Sequence, residues 1–169
     1  MTVLNHKPGD RGAARGDSRE PLADHRAPRR LAAIAIATAA TTATLLVLDL
    51  TWLGVVARDL YESSLGPLKR SDVFLPAAGL FYALYVTAIV TVAVLGATGP
   101  VAAARRGAAL GLVAYGTYEL TNWAVLRDWP ALLVPIDIGW GVVLTAVAGL
   151  VGKLVYDSLH GDDRVGRAR

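Results

Sequence analysis

The sequence predicts an all-α fold: a bundle of four transmembrane helices, preceded by a disordered polar N-terminal tail. Three observations carry this. Hydrophobic residues make up 54% of the 169 residues and charged residues only 18%, against about 25% charged in an average soluble domain. Mean hydropathy is +0.43. The apolar residues also gather in four blocks, each long enough to cross a bilayer, since about 20 helical residues span a hydrocarbon core of ~30 Å. The blocks are continuous and not alternating, which favours helices over a barrel, and a helix in lipid satisfies its own backbone groups.

Residues 1–30 hold seven Lys/Arg, four Asp/Glu and scattered Gly and Pro, with no apolar period. They read as a disordered basic cytoplasmic tail. A transmembrane domain is expected over 31–157, with helices at about 31–57, 73–95, 107–126 and 131–152, and a polar C-terminal tail over 158–169. Gly96, Gly99 and Pro100 punctuate the second turn, and Trp129 and Pro130 the third. The first block is longer than the roughly 7–15 residues of a signal-peptide core and is read as a retained span.

The Lys/Arg residues set the orientation. The N-terminal tail, Arg105, Arg106, Lys153, Arg164, Arg167 and Arg169 place thirteen on one side; Arg58, Lys69, Arg70 and Arg127 place four on the other. Both termini are therefore expected in the cytoplasm. Tyr61, Trp129 and Phe74 fall near the outer interface, where aromatic anchors belong.

Several chemistries are excluded. There is no cysteine, so disulfides, thiolate nucleophiles and iron–sulfur clusters are absent. His6, His25 and His160 all lie in the polar ends, which leaves no imidazole in the blocks for haem or di-iron ligation. The five serines also lie outside the blocks, so no buried Ser–His pair is available. The net charge of +3 reads as a topology signal and not as a nucleic-acid footprint.

The informative residues are Asp49, Glu119 and Asp137, one in each of three blocks. An acid at a helix centre costs about 2.5–3.5 kcal/mol on insertion, while a Leu or Val returns only about 0.3–0.6. Such residues usually face the interior and are functional by default. Counted from Arg58, Arg127 and Trp129, all three lie about 12–14 Å below the outer edge, so they are expected in one layer. Polar neighbours share their faces: Thr38, Thr42, Leu45 and Trp52 with Asp49; Gly111, Tyr115 and Asn122 with Glu119; Gly141, Thr145 and Gly149 with Asp137. Tyr82 and Tyr85 on the second helix and Trp140 on the fourth can donate hydrogen bonds to carboxylates. The candidate ligand- or proton-binding set is thus Asp49, Glu119, Asp137, Tyr115, Asn122, Trp52, Tyr82, Tyr85 and Trp140. No catalytic residue, metal site or cofactor is named by the sequence. Small residues four apart, Gly107–Gly111 and Gly141–Thr145–Gly149, also fit plain close packing of helices.

The segments Asp49-Leu-Thr-Trp-Leu-Gly54, Phe81-Tyr-Ala-Leu-Tyr85, Gly111-Leu-Val-Ala-Tyr-Gly-Thr-Tyr-Glu-Leu-Thr-Asn122 and Asp137-Ile-Gly-Trp-Gly141 stand in this order. Together they resemble a family of small bacterial membrane proteins known only as domain of unknown function 2177, over roughly residues 45–156. Where this chain has Glu119 the family more often has Asp, a change that keeps the charge type and lengthens the reach. The resemblance implies a four-helix integral protein of a bacterial inner membrane. It supplies no activity and no catalytic roles.

Three functions follow from this pattern. In the first, the carboxyl layer binds or relays protons, a cation or a small solute or lipid, and a homodimer would enclose a path through so few helices. In the second, the layer specifies helix pairing in a structural or interaction subunit. In the third, paired carboxyls act as general acid and base in an intramembrane lipid-modifying enzyme. The bilayer is the expected partner, and nucleic acid is not.

Overall fold

The computed structural model describes residues 26–66, 70 and 72–165. Among these the chain is helical, with no strand. The tail expected over 1–30 lies outside the described residues as far as residue 25; Arg26 already begins the first helix. Helix α1 runs Arg26–Thr51 and continues as a π-helical segment, Trp52–Val56. A short α2 follows at Arg58–Leu65. Helix α3 spans Leu75–Ala88 and likewise continues as a π segment, Ile89–Leu95. Helix α4 spans Pro100–Val125 and α5 Leu133–Val165.

On α1 the buried positions are Ala33, Ala37, Thr41, Leu45 and Asp49. That i, i+4 stripe lines one face, while Leu31, Ile36, Val47 and Leu50 are exposed on the others, as a helix in lipid requires. The hydroxyls of Thr38, Thr41, Thr42 and Thr44 each donate to the carbonyl four residues back, at 2.8–2.9 Å. These bonds satisfy the hydroxyls locally. Thr41 takes the buried position, and Thr38 and Thr42, expected on the face of Asp49, are half-buried beside it.

Helix α5 is the element on which the others seat. It packs most extensively on α4, then on α1 and on the π segment of α3. Glycines permit the closest approach. A Cβ at Gly107 would collide with the Thr145 carbonyl, one at Gly111 with the Gly141 carbonyl, and one at Gly141 with the Tyr115 ring. Such small residues let helix backbones meet where lipid supplies no hydrophobic drive. Leu45, Tyr85, Val86, Ile89, Val90, Ala93, Leu144 and Ala148 form the apolar core between α1, α3 and α5.

Two helix ends differ from the expected bounds. Helix α4 starts at Pro100 and not near 107: Gly99 is extended and Pro100 occupies the first turn, where a missing N–H is harmless. Arg105 and Arg106 then lie within the helix, and Arg106 Nη1 reaches the Val92 carbonyl of α3 at 3.4 Å. Helix α5 runs to Val165, into the expected polar tail. No proline interrupts it, and Lys153 bridges Asp157 at 3.0 Å one turn on.

Among the described residues, three helical stretches combine the length and apolarity of a membrane span: Ala27–Val56, Leu75–Leu95 and Leu133–His160. Helix α4 has 26 residues, enough in length. Its two arginines together with Tyr115, Tyr118, Glu119, Thr121 and Asn122 lower its apolarity.

The turn from α4 to α5 contains the one non-glycine residue of positive φ among those described, Asp128 at φ 64°. A left-handed residue with a Cβ is disfavoured by about 1–2 kcal/mol, least for Asp and Asn. Asp128→Val should therefore lower stability by about 1–2 kcal/mol, and Asp128→Gly should not. Thermal unfolding in detergent, followed by helical circular dichroism, checks both.

Candidate functional site

The three acids converge from three helices. Asp49 closes the buried stripe of α1, Glu119 faces inward from α4, and Asp137 lies in the first turns of α5. Their residues are 7%, 1% and 6% exposed, respectively. Each carboxyl has its own donor. Tyr82 on α3 donates to Asp49 Oδ2 at 2.7 Å. Tyr61, carried in by α2, donates to Asp137 Oδ1. The Trp129 indole N–H donates to Glu119 Oε2 at 2.9 Å.

Glu119 and Asp137 are electrostatic neighbours. Glu119 Oε1 is buried and meets no hydrogen-bond partner. Two ionised carboxylates can only accept hydrogen bonds and repel each other, so a proton taken up by either one relieves the pair. Tyr61 stands outside the spans. Burial, reinforced by the Asp137 carboxylate, raises its hydroxyl well above the ordinary tyrosine value, which keeps it a donor.

A cavity of about 360 Å³ opens beside the acids. Asp49, Leu53, Tyr61, Phe81, Ala114, Tyr115, Tyr118, Asp137 and Trp140 line it. The lining therefore has two carboxyls, five aromatic rings and no basic side chain. Leu53, Phe81 and Tyr118 are its exposed members and mark the mouth. Space is left there because the first half of α3 is mostly exposed and its backbone approaches only α1, whereas its π segment is seated on α1, α4 and α5.

Trp52 and Trp140 close the wall between α1 and α5 as a stacked pair, with centroids 4.4 Å apart and planes 7° from parallel. The π segment that begins at Trp52 offsets the helix register directly after Asp49. Such segments recur at functional sites. Neither indole N–H of this pair finds a partner of good geometry.

Of the residues singled out in the sequence, Asp49, Asp137, Tyr115 and Trp140 line the cavity. Glu119, Tyr82 and Trp52 stand directly behind it through the contacts above. Tyr85 is turned into the core: its hydroxyl meets Thr145 Oγ1 at 2.6 Å, and Thr145 donates in turn to the Gly141 carbonyl at 2.7 Å. Asn122 does not reach the cavity and pairs with Tyr118. Two contributors were read as interface anchors, Tyr61 and Trp129. Trp129 is buried, because the turn at Asp128 folds it back over Glu119, ten residues earlier. Tyr61 depends on α2, a helix of only eight residues. The Asp128-Trp129-Pro130 breaker was the visible sign of a turn, but the direction of that turn is set by φ at Asp128. Among the described residues no three His, Cys, Asp or Glu side chains group as a metal site.

Neither the curated proteins nor the solved structures give a match to this chain. A family model does match, over residues 34–154, a stretch that contains every side chain of the cavity. The chain belongs to the family described as "Predicted membrane protein (DUF2177)".

Proposed function

We propose that the chain is a four-span integral membrane protein, with both termini cytoplasmic, whose carboxyl-lined cavity binds a small ligand in exchange for a proton. The observation that carries this reading is that Asp49 and Asp137 line one cavity while Glu119, with a buried and unpartnered Oε1, stands behind it. Intramembrane acids commonly mark ion and proton pathways. With no basic residue in the lining, proton uptake and release is the available way to change the charge of the site. Helix α4 is taken as the fourth span because it is long enough and its glycine face is seated on α5. The excess of Lys/Arg on one side supports the orientation. A bacterial inner membrane is the location the family resemblance implies, and a homodimer would complete a path across it.

Infrared difference spectra of the protein in lipid, taken between acid and neutral pH, test the site. The expected result is a carbonyl band of protonated carboxyl that changes with pH and weakens in both Asp137→Asn and Glu119→Gln. A spectrum without a carboxyl change, or one unaltered by both substitutions, overturns the reading.

A second reading, in which the polar layer only specifies helix pairing, is favoured by the Tyr85–Thr145–Gly141 chain and the glycine contacts. In that case Asp49→Asn preserves every function of the protein, and only apolar replacements disturb assembly.

A further inference from the structure

The geometry points to an organic ammonium ion, a protonated or quaternary amine with an apolar body, as the ligand of the cavity. This rests on the binding reading above and adds the chemical class. Asp49 and Asp137 give the lining negative charge, and no basic side chain in the lining cancels it. No lysine, arginine, histidine or amide side chain lines the space, so no positive charge there favours an anion.

Aromatic rings form most of the remaining wall, among them Phe81, Tyr115 and Trp140. Ring faces attract a cation within about 6 Å, and cages of such rings are the usual receptors for quaternary ammonium groups. A bare divalent metal ion fits poorly. It asks for about six oxygen ligands, and no three metal-binding side chains are grouped among the described residues. The volume of about 360 Å³ is at the small end of ligand cavities, roughly 300–1,000 Å³, and suits a compact cation. The same ammonium chemistry is found in soluble amines and in choline or ethanolamine lipid headgroups.

The test uses the full chain in a non-ionic detergent and isothermal calorimetry. The probe is benzyltrimethylammonium; its neutral carbon isostere, neopentylbenzene, is the comparator, and each titration is blanked against empty micelles. The cation is expected to bind on the order of a hundredfold more tightly than the isostere, as for a charge met by carboxylate at low effective dielectric. Phe81→Leu, at an exposed wall position, is expected to weaken it about two- to fivefold. Equal binding of cation and isostere overturns the proposal with no variant needed, and so does unchanged affinity in a well-folded Asp49→Asn.

Added phosphatidylcholine separates the two sources. Competition with the probe assigns the site to a lipid headgroup; its absence assigns it to a soluble amine. A normal carboxyl titration in the infrared with no preference for the cation removes only the ligand class. A silent infrared spectrum removes the proton-exchanging site itself.

Discussion

Gly111→Val should abolish stable assembly of the helices. A Cβ at residue 111 already overlaps the Gly141 carbonyl and reaches the Thr145 hydroxyl at 2.8 Å. The obstacle is backbone, which cannot swing aside as a side chain can. Relief requires α4 and α5 to separate, and theirs is the most extensive helix pair in the molecule. Overpacking of a tight core typically costs about 1–3 kcal/mol, and a collision with backbone belongs at or beyond the upper end. The expected outcome is loss of the monodisperse peak in size-exclusion chromatography and a large drop in melting temperature. Gly116→Ala on the same helix meets nothing within 4 Å and should leave both unchanged. If Gly111→Val behaves like Gly116→Ala, α4 and α5 do not pack as described.

Trp129→Phe should be the most damaging of the conservative changes near the acids. It keeps an aromatic ring but removes the five-membered part of the indole, and with it the N–H that Glu119 Oε2 accepts. The partner left behind is 1% exposed and has no other donor on that oxygen. Loss of a hydrogen bond to a charged group typically costs about 1.5–3 kcal/mol, most of it the penalty for leaving a buried group unsatisfied. The check is a double-mutant cycle with Glu119→Gln, measured by thermal unfolding in detergent. Once Gln replaces the acid, Trp129→Phe should cost much less, so that the two changes are strongly non-additive. Additive effects would mean that the indole and the carboxyl do not interact.

These two results also separate what could be read in the sequence from what could not. The acids were legible because each is a large local penalty within an apolar run, and a penalty at one depth in three runs points to one layer. The glycines at 107, 111 and 141 were legible as a spacing, although that spacing alone does not name the carbonyl each one meets. Tyr61 and Trp129 were misplaced for a different reason. Both reach their acids through a change of chain direction, at Ala57–Arg58 and at Asp128, and a change of direction has no periodicity. Thr38 and Thr42 are half-buried beside Thr41: helical spacing places residues on a broad face without naming the position at its centre. The start of α4 was misread because two adjacent arginines look like a connection; one of them reaches the end of α3 instead.

The central place of α5 has a consequence for biogenesis. The chain leaves the ribosome from its N-terminus, so the helix on which α1 and α4 both seat is the last to be made. Until it arrives, Glu119 lacks Asp137 and the glycine face of α4 has nothing to meet, and α1 and α4 do not pack on each other in its place. The nascent molecule must therefore hold an uncovered acid near the insertion machinery and complete its fold in a single late step, when residues 133–165 enter.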